Sequence, residues 1–331
     1  MIDHETSRCE HRSGLGDAPQ VTVVIVTYQS EGEIARCLDA LRDSGLPLSV
    51  VLVDNASTDR TLEEAGDHAQ GMRVQIVRNR TNVGFAKAVN AGIALATTGF
   101  VLVLNPDCYV QRHTIAKVME AMSVADHVGM AGCLLLNDDN TEQAGCRRYV
   151  PTPWRAMIRV LRLHRLARWH PRLDGFLMNR EPLPDRPITV EAISGAFMLL
   201  RREALDEIGL LDEGYFMHCE DLDWCMRFKQ GGWKVLFVPG AKAVHDRGRS
   251  SASHPYRVEW FKHRGMVRFY LKFFRRRYPG VLLWLVVASV WARFSVVVAR
   301  TALRRTFSES AYLVPAKAIR PESDQRREGS T

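Results

Sequence analysis

Apolar and polar positions alternate in two rhythms over the first hundred residues of the chain. The run from Val21 to Tyr28 is rich in β-branched residues and predicts a strand, and residues 31–44 place apolar side chains at helical spacing. The pattern recurs, with strands expected at 49–54, 73–78 and 100–104 and helices at 58–68 and 85–97. Strands separated by helices predict an α/β fold with a mostly parallel sheet, whose ligand crevice lies beyond the carboxyl ends of the strands.

Composition divides the chain into a main domain and its flanking segments. We predict a polar N-terminal tail over 1–20, an α/β domain over 21–250, a basic and then apolar helical region over 251–305, and a polar tail over 306–331. Inside the main domain, residues 154–172 form a basic amphipathic insert, and an apolar strand is expected over 192–200.

The charge balance favours a polyanionic partner. Lys and Arg number 45 against 37 Asp and Glu, a formal net charge of +8, which suits either a membrane surface or a nucleic acid. The seven cysteines form no CxxC pair, which argues against a disulfide scaffold or a structural zinc site and fits reduced thiols in the cytosol. The first 20 residues contain no apolar stretch of the signal-peptide type, so we expect no export of this N-terminus.

Acidic side chains follow two of the predicted strands. Asp54 can accept the imino N–H of a pyrimidine base, with Asn55 and Ser57 adding an amide and a hydroxyl, although a turn with a helix cap also explains these residues. Asp107, which follows Asn105 and a proline, is a candidate ligand for Mg²⁺ or Mn²⁺, because Mg²⁺ prefers oxygen ligands and takes only one or two protein carboxylates. An Asn-Pro-Asp turn is the alternative there.

A third acidic group opens a predicted helix at Glu220. Asp223 precedes Arg227 by four residues, so capping and surface pairing explain most of this group. Asp221 lies about 200° around an ideal helix from Asp223 and is therefore a candidate to accept a proton from an acceptor hydroxyl. His245 follows an apolar run and can ligate a divalent metal, although a solvated loop explains it equally.

Together these segments resemble one known family. In chain order, the motifs are Val24-Ile25-Val26-Thr27-Tyr28, Val53-Asp54-Asn55, Asn82-x-Gly84-Phe85-Ala86, Asn105-Pro106-Asp107, Ser194-Gly195-Ala196-Phe197, Glu220-Asp221-x-Asp223, Gly232-Trp233 and His245. In order and spacing over about residues 21–250, they resemble the GT-A glycosyltransferases of family 2, and more narrowly their bacterial rhamnosyltransferase-like branch.

The resemblance implies a Rossmann-like GT-A catalytic domain and a role for each motif. Asp54 would contact the base, Asp107 would hold Mg²⁺ or Mn²⁺ on the diphosphate, and Asp221, with Glu220 beside it, would be the general base. The metal motif reads Asn-Pro-Asp where the family has Asp-x-Asp, so His245 or water must complete the coordination. The other residues implied for the nucleotide-sugar site are Thr27, Tyr28, Asn55, Ser57, Asn82, Gly84, Asn90 and Asn105. Those implied for the acceptor are Gly195, Ala196 and Trp233.

The implied reaction is an inverting transfer of a sugar to a hydroxyl of a lipid-linked saccharide in bacterial envelope synthesis. L-Rhamnose from dTDP-rhamnose is the expected donor, while UDP-galactofuranose and UDP-hexoses remain open. A polyprenyl diphosphate is the expected carrier of the acceptor. A basic nucleic-acid-binding or membrane-binding protein without turnover is the rival from another class, but it gives the three acids no task. We therefore expect no nucleic-acid partner.

Two segments predict contact with an anionic membrane surface. Residues 154–172 contain six arginines and no acid, interleaved with apolar side chains, as in helices that lie among lipid headgroups. Residues 281–299 carry one charge, Arg293, which would cost about 2.5–3.5 kcal/mol inside a bilayer. We therefore expect a peripheral or monotopic protein on the cytoplasmic face of the inner membrane, with a spanning helix and a helix packed on the catalytic domain as alternatives.

Overall fold

A computed structural model describes residues 5–7, 20–160, 176–179, 181–246 and 255–312. The strands are β1 (Glu5–Ser7), β2 (Val21–Thr27), β3 (Leu48–Asp54), β4 (Arg73–Arg78), β5 (Phe100–Leu104), β6 (Cys108–Val110), β7 (Val128–Leu136), β8 (Arg147–Arg148), β9 (Ile188–Val190), β10 (Ala192–Ile193), β11 (Phe197–Arg201) and β12 (Lys234–His245). The helices are α1 (Glu33–Arg42), α2 (Thr61–His68), α3 (Phe85–Ala94), α4 (Thr114–Val124), α5 (Pro153–Val160), α6 (Arg202–Ile208), α7 (Glu220–Gln230), α8 (Pro255–Phe274) and α9 (Gly280–Tyr312).

The central sheet has the order β1-β4-β3-β2-β5-β11-β7-β12-β6, with β9 beside β12. Strands β4, β3, β2 and β5 are parallel, as are β7 and β12. The predicted α/β fold with a mostly parallel central sheet is confirmed, with one important addition. Strand β11 runs antiparallel between β5 and β7 and thereby joins the two parallel groups.

The parallel strands form because their side chains are buried on both faces. All seven residues of β2 are buried, which explains a continuous β-branched run in place of an alternating one. Helix α1 buries Ile34, Cys37, Leu38 and Leu41 against the sheet. Helix α3 approaches especially closely at Gly92, where an added Cβ would clash with the side chain of Val24. This close approach holds the C-terminal half of α3 against β2 and β3.

Three sequence predictions change in the structure. The apolar run over 192–200 is two strands, β10 and β11, because Ser194 and Gly195 interrupt it. Within the predicted tail 1–20, β1 pairs with β4 in antiparallel register. Helix α9 continues to Tyr312, beyond the predicted boundary at 305. Of the basic insert 154–172, the structure describes the part in α5, and residues 161–175 lie outside the described residues.

The two C-terminal helices differ in their packing. Helix α8 buries Phe269, Tyr270, Phe273 and Phe274 in the core of the main domain. Its Lys272 also pairs with the buried carboxylate of Asp223 on α7, at 2.6 Å. Helix α9 packs on α8 but leaves much of its apolar surface exposed, and its first 24 residues, Gly280–Leu303, are long and apolar enough to cross a membrane.

Candidate active site

The carboxylate of Asp54 organises the ends of β2 and β3. These strands pair so that Thr27 lies opposite Asp54, and Thr27 Oγ1 donates to Asp54 Oδ1 at 2.9 Å. The Ser57 hydroxyl donates to Oδ1 at 2.5 Å and the Ser57 amide to Oδ2 at 2.9 Å. Among the described residues, only the Ser57 amide donates to Oδ2, and a carboxylate oxygen can accept a second hydrogen bond from a ligand. The role of Asp54 in contacting a base stays a prediction.

A second loop closes over these strand ends. The Asn55 side chain donates to the Gly84 carbonyl at 3.3 Å, and the Asn82 side chain accepts from the Gly84 amide at 3.0 Å. Gly84 has φ of +90°, and an added Cβ would lie 2.7 Å from the carbonyl oxygen of Phe216. That carbonyl also accepts from the Phe85 amide at 2.6 Å. Gly84 thus lets the loop at the start of α3 touch the loop that precedes α7.

The Gln29 side chain, which sequence reasoning missed, fastens the loop after β2. The backbone of Gln29 has φ of +54°, and its side-chain Oε1 accepts from the Thr58 amide at 2.8 Å. Tyr28 beside it is half-buried. Both residues therefore lie at the carboxyl edge of the sheet, next to Asp54 and Ser57.

Asp107 and His245 come together through strand pairing. Strand β6, which begins directly after Asp107, pairs antiparallel with the end of β12, so that Cys108 faces His245. The Asp246 amide donates to the Asp107 carbonyl at 3.0 Å. As a result, Asp107 Oδ1 lies 3.2 Å from His245 Nε2, with both side chains largely buried.

This pair fits a divalent cation. Two neighbouring ligands at about 2.1 Å from an octahedral cation lie about 3.0 Å apart, close to the separation of Asp107 Oδ1 and His245 Nε2. Within the described ranges, no group of three or more His, Cys, Asp and Glu side chains is placed to hold a metal. The protein therefore offers these two ligands, and phosphate oxygens and water are the usual completion of such a shell.

Asp221 stands at the start of α7 and is held from three sides. Its Oδ2 accepts a short hydrogen bond from Arg148 and one of 3.2 Å from the Gly195 amide, and its Oδ1 accepts from the Leu222 amide at 2.7 Å. These three hydrogen bonds fix the orientation of the Asp221 carboxylate at the N-terminus of α7. Arg148 on β8 was not predicted, because nothing near it in sequence marks it as a partner of an acid 73 residues away.

Glu220 and His218 lie just before Asp221, and the pKa values of both side chains are shifted from their usual range. Burial raises the pKa of Glu220 to about 8, and the neighbouring Asp221 charge adds to the effect. Burial lowers the pKa of His218 to about 4, assisted by Lys262 of α8. Within the part of the chain that the structure describes, Glu220 Oε2 and His218 Nε2 are buried and have no hydrogen-bond partner. At neutral pH, both side chains are therefore uncharged.

The backbone before α7 is also unusual. His218 and Cys219 are consecutive non-glycine residues with φ of +66° and +71°, a conformation that costs on the order of 1–3 kcal/mol for each residue. Helix α8 lies directly against this turn, since a Cβ at Gly265 would lie 2.8 Å from the His218 carbonyl oxygen. Phe216 stacks on Phe261 of α8, with ring centroids 4.2 Å apart. Packing of α8 therefore holds the turn that aims Asp221.

The three acids lie along one edge of the sheet. Asp54 ends β3, two strands from β5, and Asp107 follows β5. The Asn105 amide donates to the Ala196 carbonyl at 3.0 Å, and the adjacent Gly195 contacts Asp221. Ala196 and Gly195 thus bridge the Asp107 loop to α7.

Two predicted site residues have other surroundings. The Asn90 amide is occupied by the backbone N–H and carbonyl of Leu211, at 3.0 and 2.9 Å, and ties α3 to the segment after α6. Trp233 precedes β12, at the end of that strand opposite His245, and its Nε1 donates to Glu207 at 2.9 Å. Asp221 is at the start of α7, whereas Trp233 follows the end of that helix. The predicted contact of Trp233 with the acceptor stays a prediction.

The fold and the placement of these acids define a GT-A glycosyltransferase. Two solved structures share the fold: mannosyltransferase PcManGT from Pyrobaculum calidifontis in complex with GDP-Man and Mn²⁺, and GalNAc-T7 with UDP, GalNAc and Mn²⁺. The first gives a TM-score of 0.55 at 18% identity over 90% of this chain and 81% of that one. The second gives a TM-score of 0.52 at 20% identity over 69% of this chain and 43% of that one.

The chain belongs to glycosyl transferase family 2, whose pattern matches residues 22–209, more than half of its length. It is similar to the N-acetylglucosaminyl-diphospho-decaprenol L-rhamnosyltransferase of Mycobacterium tuberculosis, with 28% identity over 89% of this chain and 98% of the relative. It is also similar to rhamnosyltransferase WbbL of Escherichia coli K12, with 23% identity over 68% of this chain and 83% of the relative.

Proposed function

We propose that this chain is an inverting, metal-dependent rhamnosyltransferase that moves L-rhamnose from dTDP-rhamnose to a hydroxyl of a polyprenyl-diphosphate-linked saccharide. The observation that carries the proposal is the alignment of Asp54, Asp107 and Asp221 along one sheet edge, beside the His245 imidazole. Both relatives are rhamnosyltransferases, which supports rhamnose as the sugar, and the mycobacterial one acts on a diphospho-decaprenol, which supports a lipid diphosphate on the acceptor.

Asp221 carries out the proton transfer in this proposal. It removes the proton of the acceptor hydroxyl while that oxygen bonds to the anomeric carbon, and the bond from this carbon to the diphosphate breaks with its electron pair on the diphosphate. Arg148 and the Gly195 amide orient the Asp221 carboxylate before the step. Attack from the face opposite the diphosphate inverts the anomeric configuration.

Asp107 and His245 would hold Mg²⁺ or Mn²⁺ against the donor. Such a cation stabilises the negative charge that develops on the departing diphosphate. Asp54 and the Thr27 and Ser57 hydroxyls lie at the neighbouring strand ends, which suits recognition of a pyrimidine base.

A membrane-bound acceptor agrees with the surface of α9. Its exposed large apolar side chains, Val281, Trp284, Leu285, Val296 and Leu303, repeat at helical spacing along one side. An exposed apolar stripe of this kind favours burial in the acyl boundary of a membrane. Basic residues at 275–277 precede α9, and Arg300 lies near the end of its apolar part, Gly280–Leu303, where anionic headgroups would attract them. We therefore place the enzyme on the cytoplasmic face of a bacterial inner membrane, with α9 in the membrane plane.

The decisive experiment is a transfer assay with the full chain. Purified protein is incubated with Mg²⁺ or Mn²⁺ and each of dTDP-rhamnose, UDP-galactofuranose, UDP-GlcNAc and GDP-mannose, with and without a polyprenyl-diphosphate-linked GlcNAc. We expect product only with the lipid acceptor, highest turnover with dTDP-rhamnose, and an anomeric configuration opposite to that of the donor by NMR. Preference for a UDP-sugar would replace the donor assignment, and retention of configuration would refute the mechanism.

Asp221→Asn tests the proton transfer. The amide cannot act as a base, so turnover should fall by about 10²–10⁴-fold while donor binding, measured by calorimetry, persists. Asp126→Asn is the matched control, because Asp126 is exposed on the segment before β7. Turnover of the Asp221 variant near that of the control would remove Asp221 from the role.

A further inference from the structure

The His245 ring is held at both nitrogens. Its Nδ1 lies 2.6 Å from Gln143 Oε1, and its Nε2 lies 3.2 Å from Asp107 Oδ1. Gln143 is almost completely buried. The question that decides the chemistry of this ring is which nitrogen carries the hydrogen in the neutral imidazole.

The side-chain amide of Gln143 can have only one orientation in this network. Its Nε2 donates to the backbone carbonyl of His245 at 2.9 Å and to Asn137 Oδ1 at 3.1 Å. A backbone carbonyl only accepts, so the Gln143 nitrogen must face it. The Gln143 oxygen is then the atom that faces His245 Nδ1.

A second anchor fixes the same direction from the far end of the network. Asn137 Nδ2 donates to Thr141 Oγ1 at 2.9 Å, and the Thr141 hydroxyl donates to Asp139 Oδ1 at 2.5 Å. The hydrogen bonds from Thr141 lower the pKa of Asp139, so its carboxylate is charged at neutral pH and can only accept. Every donor from His245 to Asp139 therefore points the same way.

This network places a hydrogen on His245 Nδ1, which in the neutral imidazole leaves a lone pair on Nε2. That lone pair faces Asp107 Oδ1, which is also an acceptor. Two acceptors 3.2 Å apart repel each other unless a cation lies between or beside them. The separation matches two adjacent ligands of one octahedral ion, as described above.

We propose that Gln143 is a positioning residue that fixes the Nδ1–H tautomer of His245, so that His245 Nε2 and Asp107 Oδ1 are presented together to a divalent cation. The proposal rests on the metal-dependent function proposed above. It assigns to the 137–143 hairpin, which the family motifs do not include, the task of preparing the metal site. Partners of this kind are worth about 10–100-fold in metal affinity.

The first test measures binding of Mn²⁺ alone to the full chain, from the EPR signal of the free ion. Gln143→Met keeps the length of the side chain but removes the acceptor, and we expect affinity to fall 10–100-fold. Gln111→Met, an exposed glutamine after β6, should bind as the wild type does. Asp107→Asn should lose nearly all binding at the site.

The outcomes separate this inference from the function on which it depends. If Asp107→Asn binds Mn²⁺ normally, the metal site itself is wrong. If Asp107→Asn loses binding while Gln143→Met keeps it, the metal site stands and the role of Gln143 is refuted.

The second test reads the tautomer directly and needs no variant. Two-bond ¹H–¹⁵N spectra of the metal-free wild type at pH 8 should show His245 with its hydrogen on Nδ1. A hydrogen on Nε2, donated to Asp107, would overturn the proposal even if Gln143→Met failed to fold.

Discussion

Glu220→Gln should change how the stability of the protein depends on pH. In the folded chain, Glu220 is buried beside Asp221, Arg148 and Asp223, and its pKa is raised from 4.5 to about 8. Between these two values, the folded state keeps a proton that the unfolded state has released. The free energy of unfolding of the wild type therefore loses up to about 1.4 kcal/mol per pH unit across this window because of Glu220.

Glutamine has the shape of the protonated side chain but does not titrate. The difference in unfolding free energy, variant minus wild type, should therefore rise from pH 5 to pH 8 by at most about 4 kcal/mol and level off above pH 8. The assay is urea denaturation of both proteins at half-unit steps from pH 5 to pH 9, followed by tryptophan fluorescence. Subtracting one curve from the other cancels the titration of groups that are unaffected by the substitution.

Glu120→Gln is the matched control, because Glu120 is exposed on α4. Its difference curve should be flat. If the Glu220→Gln difference curve is equally flat, Glu220 is ionised in the folded protein at neutral pH. The conclusion that its carboxyl is uncharged beside Asp221 is then wrong.

Two further substitutions test contacts described above. Gly84→Ala should lower the free energy of unfolding by about 1–3 kcal/mol and reduce turnover, because the new Cβ meets the Phe216 carbonyl. Gly71→Ala is the control for backbone strain alone, since Gly71 has φ of +76° but open space around it. Equal losses in melting temperature for the two variants would contradict the reasoning. Leu285→Glu should weaken flotation of the protein with anionic phosphatidylglycerol vesicles at least tenfold. Val124→Glu, at the exposed last residue of α4, is the control and should leave flotation unchanged. Unchanged flotation of the Leu285 variant would contradict membrane binding by α9.

The parallel part of the fold was predictable because its signal is local. Runs of β-branched residues and the helical spacing between them depend on a few neighbours in sequence, and β2 to β5 lie close to where the pattern puts them. Helix α2 begins at Thr61, later than the expected 58, because the Asp59 side chain accepts from the Thr61 amide and the residues before it form a turn. The direction of β11 is a property of its neighbours in the sheet, which no local pattern reports.

The same distinction separates the candidate site residues that the sequence indicates from those that it does not. Asp54, Asp107 and Asp221 occur in motifs whose order could be compared with a family. Arg148 and Gln143 contact residues 73 and 102 positions away, so only the folded chain shows these contacts. Asn90 has the residue type of a ligand contact, yet its position on α3 makes it a link between two segments.

Helix α8 has a practical consequence for anyone who wishes to prepare a more tractable fragment of this protein. The obvious place to cut, after β12, would delete an element that is buried beneath the strained turn at His218 and Cys219. Such a fragment would retain every residue of the family motifs and still lose the helix that holds Asp221, the proposed base, in position. Detergent or lipid handling of the whole chain is therefore a better route to active enzyme than truncation.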